Sequence, residues 1–388
     1  MRISKTALAV ALATLSSAAL AGTFQYRVPA LGLAAAPSQP ATPSTPTPPP
    51  IAVSLNSQAL TPAVLGKPYS YSLSSLLNVT GDGSFDSTQA TWLVTSGLPQ
   101  GISLVGSQLT GTPSQVLLPG TTVSVQATYK GQTADQNYTF KVAPWNTLVL
   151  DLGSSGGAAT TVDLAGHTVS PGSGYASSTA TAHLGTASGA FGTLGELSIP
   201  YSADFQFEGD FTMEAWVRVS SVPAVWQFSN GGGTGVGAGA IPFIGHGNPF
   251  SGSVASAATA SNFDFGYDNV SKKFYFARRT GAGQAGKVVV TSSVTSNLSL
   301  NAWHHVSVSR AGGTLYFGLD GTMAGTATLS GPLNLSSTQP VTIGRTRGGD
   351  DQLFTWLNGY MQDVRVTNGY ARYTQAYTPP AVPAELYN

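Results

Sequence analysis

Cysteine is absent from all 388 residues. That excludes disulfides, thiolate metal sites, a cysteine nucleophile and a lipid-anchored N-terminus. Charge is scarce: only 9% of residues are Asp, Glu, Lys or Arg, and 17 cations balance 17 acids. No basic patch forms, so nucleic acid is not an expected partner. Glutamate is rarer still, with Glu196, Glu208, Glu214 and Glu385 the only four. The E-x-D-x-x-E strand that supplies nucleophile and acid in retaining glycosidases is missing. The chain is therefore not expected to be an enzyme, with a polysaccharide hydrolase as the remaining alternative. Past the first 21 residues no apolar run is long enough to span a bilayer.

What is plentiful points to strands. Hydrophobic residues make up 41%, enough for sizeable cores, and 46 glycines with many Ser and Thr residues favour short strands and turns over helices. The length suits two or three domains. Residues 1–21 read as a secretory signal peptide: Arg2 and Lys5, an apolar core from Ala7 to Leu15, and an A-x-A site at Ala19-Leu20-Ala21. The other reading is an ordinary N-terminal helix. The signal peptide predicts an exported product, periplasmic, extracellular or on the cell surface. Residues 22–50 hold a short TFQYRV stretch and then prolines at 37, 40, 43, 46, 48, 49 and 50. That composition favours an extended polyproline II spacer.

Residues 51–144 alternate as a first β domain, with Tyr69, Tyr71 and Leu73 set against Ser70 and Ser72. Gly97-Leu98-Pro99-Gln100-Gly101 reads as a turn, and Leu109-Thr110-Gly111-Thr112-Pro113 as a strand end. These motifs resemble the bacterial Ig-like (cadherin-like) module. The resemblance implies a spacer or adhesion role.

Residues 145–388 form the second β domain. Phe211, Met213, Ala215, Val217 and Val219 fall on one face of a strand, with Thr212, Glu214, Trp216 and Arg218 on the other. Trp303 to Arg310 and Thr314 to Gly321 follow, and Asp320-Gly321 is a hairpin signal. Near the end, Tyr360, Gln362, Val364 and Val366 alternate with Met361, Asp363 and Arg365 before Asn368-Gly369, a turn pair that readily takes positive φ, and the tail Tyr370-Ala371-Arg372-Tyr373-Thr374 … Thr378-Pro379-Pro380. Between Trp226 and Asn262 lies a Gly/Ala/Ser-rich stretch that reads as a long inserted loop. His304 and His305 are adjacent, so on a strand they point to opposite faces and share no metal.

This pattern resembles the concanavalin A-like (laminin G-like) jelly roll attached to phage virion proteins and bacterial surface proteins. The fold implied for the chain is all-β, an Ig-like β-sandwich followed by a jelly-roll sandwich. The resemblance also implies Ca²⁺ at Asp163 and Asp363, since hard oxygen ligands suit that ion. Gln362 stands where the family often has a second acid. The alternative is that Asp163 caps a turn and Asp363 pairs with an arginine.

Sugar sites need aromatic faces and planar polar groups. Arg345, Arg347, Asp350, Asp351, Phe354 and Trp356 supply both within one loop, and Trp226, Phe243, His246, Asn248 and Phe250 supply a second set. The bland reading packs these aromatics beneath their loops. The expected partner is a cell-surface glycan. Phage tail or cell-surface proteins are the partners of a structural alternative without sugar binding.

Overall fold

The computed structural model describes residues 49–388 except 155–160, 223–238, 248, 250–260, 281–286, 334–338, 347–354 and 387–388. The expected signal peptide and most of the proline-rich segment lie outside the described residues. Every described element is a β-strand or one of three short 3-10 turns. No helix among the described residues is long and apolar enough to cross a membrane.

In the first domain, two facing sheets form because alternate residues are apolar. Val123 and Val125 of Leu117–Tyr129 point inward, as do Tyr138, Phe140 and Val142 of Gln132–Ala143. The opposing sheet, Tyr69–Ser72, Gln108–Gly111 and Ile102–Val105, contributes Tyr69, Leu109 and Ile102. Pro99 and Gly101 make the expected turn, closed by the Ile102 N–H on the Pro99 carbonyl at 3.1 Å. Gly101 is at φ +89°, and a Cβ there would stand 2.1 Å from the Thr112 carbonyl oxygen, so only glycine fits.

Gln132–Ala143 ends one residue before Trp145–Leu150, which opens the second domain. That domain is a sandwich of an eight-stranded and a seven-stranded antiparallel sheet. At the centre of the larger sheet, Phe211–Ser221 lies between Asn358–Asn368 and His304–Ala311. Trp145–Leu150 and Ser188–Phe191 share the other edge of Asn358–Asn368, each pairing with one half of it. Phe211, Met213, Ala215, Val217 and Val219 all enter the core, as their spacing predicts. At about 25 cal/mol per Å² of apolar surface, five such side chains contribute several kcal/mol. Asp320 and Gly321 both take positive φ, +51° and +82°, and join Thr314–Leu319 to Thr322–Thr328 as a tight hairpin.

Three sequence expectations are corrected. First, Met361 is in the core with Val364 and Val366, whereas Tyr360 and Gln362 share the outer face with Arg365. The strand carries a bulge: the register moves from Glu214↔Arg365 to Trp216↔Gln362, and Asp363 takes φ +54°. One extra residue inverts the alternation on either side of it.

Second, the stretch read as an insertion contains Ala240–His246, an interior strand of the seven-stranded sheet between Ser261–Asp268 and Val341–Ile343. Its alternation is broken by a register shift between Pro242 and Ile244, which puts both Phe243 and Ile244 in the core.

Third, of the Asn368-Gly369 pair only Gly369 takes positive φ (+76°), while Asn368 ends the strand with its side chain donating to the Asp204 and Gln206 carbonyls.

Candidate functional site

The chain leaves Val341–Ile343 through Gly344, at φ +78°, where a Cβ would stand 2.5 Å from the Phe191 ring. It then forms a two-stranded ribbon, Arg345–Thr346 against Thr355–Trp356. Directly opposed residues of an antiparallel pair share a face. Thr346 and Thr355 are one such pair and face the sheet. Thr346 Oγ1 donates to Asp264 Oδ2 at 2.5 Å and Thr355 Oγ1 to the Ala240 carbonyl at 2.7 Å. Arg345 and Trp356, the other opposed pair, therefore project from the far side, both half-buried. Glu196, itself buried, places Oε2 3.6 Å from Arg345 Nη1. The result is an indole beside a guanidinium on a ribbon pinned by two hydroxyls.

Of the recognition residues expected from sequence, the structure thus brings Arg345 and Trp356 together. Arg347, Asp350, Asp351, Phe354, Trp226, Asn248 and Phe250 lie outside the described residues. Phe243 and His246 are corrected: both are fully buried in the interior strand, Phe243 against Phe265 and His246 against Phe263.

Asp264, beneath the ribbon, was not singled out in sequence. Its one signal is an acid inside the apolar run Phe263-Asp264-Phe265. It faces away from the core on the seven-stranded sheet, fully buried, and accepts from Tyr275 Oη at 2.7 Å as well as from Thr346. Gly245, opposite it, leaves the space: a Cβ there would stand 2.8 Å from Asp264 Oδ2. Burial pushes the Asp264 carboxyl up to about 7, against the lowering effect of the two hydroxyls.

The sign of the pH effect follows from that shift. The folded chain keeps this proton up to about pH 7, while the unfolded chain releases it near the ordinary carboxylate value. Stability from this group is full below about pH 4 and is lost as pH rises to about 7, by up to about 4 kcal/mol. Asp363, pushed up to about 6 by its own burial, acts in the same direction. Asp264→Asn should flatten the slope and raise stability at pH 8, measured by urea denaturation at pH 4.5, 6 and 8.

Glu214 occupies the outer face of the larger sheet and is 1% exposed. Arg365 Nε donates to its Oε1 at 2.7 Å and Tyr373 Oη to its Oε2 at 2.7 Å, while His305 Nε2 lies 3.2 Å from Oε2. Burial alone would push this carboxyl up. Arg365, His305 and Arg372 beside it override that and hold it well below the usual range. The carboxylate is enclosed by fixed partners, which makes it a structural anion for the segment above it. His305 reaches Tyr377 Oη at 2.9 Å through Nδ1. His304 turns to the other side, against Asp320 at 2.7 Å and Ser299 at 2.8 Å, as adjacency on a strand requires.

The two aspartates expected at a metal lie on opposite flanks of Trp145–Leu150. Asp163, bridged to Leu150, accepts from the Val149, Ala165 and His167 amides at 2.8, 3.0 and 3.1 Å and meets His167 Nδ1 at 2.6 Å. It organises a turn. Asp363, on the strand paired with Leu150 from the other side, accepts from the Ala384 amide at 2.6 Å and from Ser154 Oγ at 3.5 Å. The two carboxylates serve separate donors. Among the described residues no group of three or more His, Cys, Asp or Glu side chains could hold a metal ion.

Comparison with known proteins matches residues 191–372 to the family described as "Concanavalin A-like lectin/glucanases superfamily" and residues 49–143 to the family described as "Putative Ig domain". No curated protein matches the chain. Among solved structures, domain 4 of AbnA, a GH43 extracellular arabinanase from Geobacillus stearothermophilus, in complex with arabinotriose, is 9% identical. The match covers 59% of this chain and 95% of that chain, with TM-score 0.40. The CBM40 of Ruminococcus gnavus IT-sialidase is 12% identical over 42% of this chain and 77% of that chain, with TM-score 0.30. The carbohydrate binding module CBM66 from Bacillus subtilis is 15% identical over 50% and 96%, with TM-score 0.26.

Proposed function

Because this chain carries an Ig-like domain followed by a domain of the concanavalin A-like lectin/glucanases superfamily, we propose that it is an exported adhesion protein that binds cell-surface glycans through its C-terminal sandwich. The observation that carries this reading is the Arg345–Trp356 pair, set side by side by strand register and turned away from the sheet. An indole covers the apolar face of a pyranose, and a guanidinium hydrogen-bonds its hydroxyls. The preceding Ig-like domain spaces the binding sandwich from an anchor, and display in many copies, on a cell surface or a virion, raises weak single-site affinity by avidity. The signal-peptide pattern at residues 1–21 supports export.

A glycan array probed with the full chain tests this. Binding to a defined glycan set is expected, and Trp356→Ala or Arg345→Ala should each weaken it tenfold or more with the melting temperature little changed. A flat array together with a co-purifying protein would favour an assembly role instead. Unchanged binding by both variants would move the site away from the ribbon.

A further inference from the structure

The joint between the two sandwiches is a built cleft. Pro144 alone separates the last strand of the first domain from Trp145. A turn of the first domain reaches across: Gly66 at φ +69° donates its N–H to the Pro113 carbonyl, and the Lys67 N–H closes on the Val64 carbonyl at 3.1 Å. This turn places Lys67 Nζ 3.2 Å from the centroid of the Trp145 ring. Two cavities share that pair as a common wall. One, of about 270 Å³, is bounded also by Pro68, Tyr69, Asp204 and Leu386, and the other, of about 450 Å³, by Gln206, Glu208 and Asn368.

Several described cations of this charge-poor chain are held by carboxylates. Lys130 is paired with Asp82, Arg345 with Glu196, and Arg365 with Glu214. Lys67 has no carboxylate within 4.0 Å among the described residues, and its ammonium meets only the indole. Across the cleft stands the Asp204 carboxylate, held 3.3 Å from His167 Nε2 and 42% exposed. Small-molecule sites favour domain interfaces with apolar walls and a few placed polar groups.

We propose that this joint is a second ligand site, distinct from the ribbon, for a sugar residue bearing one carboxylate. The carboxylate pairs with Lys67, the ring lies along Trp145 and Pro68, and hydroxyls donate to Asp204. One cation suits a monoanion. A phosphate dianion would meet two acids, Asp204 and Glu208, with a single counter-charge. A neutral hexose would leave the ammonium unmatched. The proposal stands on the cleft and does not require the ribbon to bind sugar.

Calorimetric titration of the full chain with N-acetylneuraminic acid, glucuronic acid and glucose tests it. At least one acid should saturate while glucose does not. Lys67→Met should weaken acid binding tenfold or more, Lys67→Arg should keep it within about threefold, and Trp356→Ala should leave it unchanged. Acid binding by the unmodified chain should also weaken several-fold from 50 to 500 mM salt, as an accessible ion pair requires, a readout that needs no variant. The proposal is overturned if neither acid saturates, if Lys67→Met binds as before, or if salt has no effect. Loss of acid binding in Trp356→Ala would assign the acid to the ribbon and remove the joint site.

Discussion

Glu214→Ala is expected to destabilise the C-terminal domain by about 3–5 kcal/mol, because it strands a buried guanidinium without its counter-ion. Arg365 is 4% exposed and its Nε is fixed on Glu214 at 2.7 Å. Tyr373 and His305 lose an acceptor at the same time. Urea denaturation of the variant at pH 7 measures the loss. The double variant Glu214→Ala/Arg365→Met should recover most of it, since apolar residues in place of a buried pair are often neutral or stabilising. Glu214→Ala alone costing under 1 kcal/mol would mean that water reaches this centre. The pH dependence has the opposite sign to that of Asp264. The lowered Glu214 carboxyl contributes stability above its ordinary value, and that contribution is lost as pH falls through and below it. The two groups together place maximum stability in mildly acidic solution.

Ending the chain after Gly369 should have a larger effect: the second sandwich should lose its cooperative unfolding transition. Residues past Gly369 cover the outer face of the central strands. The Tyr370 carbonyl accepts from Thr212 Oγ1 at 3.1 Å, the Arg372 amide donates to the same hydroxyl at 2.8 Å, and the Tyr373 amide donates to Ser309 Oγ at 3.1 Å. The Tyr373 and Tyr377 rings stack at 3.9 Å over the Glu214–His305 centre. The Ala384 amide binds Asp363 at the bulge. Removing these groups opens Glu214, Arg365 and His305 to water and uncovers Thr212, Ser307 and Ser309. Differential scanning calorimetry should show the second transition broadened or gone while the first domain melts as before. A sharp second transition in the shortened chain would make the tail an ornament.

The same tail explains what the sequence did and did not disclose. Phe211 to Val219 could be read because period-two spacing alone sorts its apolar set, and that set is buried whatever lies outside. The burial of Thr212 and Glu214 on the reverse face could not be read, since it depends on a segment about 160 residues later in the chain folding over them. The Asp320-Gly321 turn was legible because it needs only two residues that tolerate positive φ. The face of Met361 was not, because one bulged residue, Asp363, reverses parity without any local composition signal. At the candidate site, Arg345 and Trp356 could be named by residue type, but their pairing rests on register across a ten-residue separation. Asp264 stayed hidden because a lone acid among aromatics looks the same before and after a ribbon hydroxyl is placed on it.

The single-residue passage through Pro144 has a mechanical consequence. A pull applied between the first sandwich and the second meets no slack at this joint, so load passes straight into Trp145–Leu150. That strand is hydrogen-bonded along its length to Asn358–Asn368. Force along the strand axis must then shear several bonds at once instead of unzipping them singly.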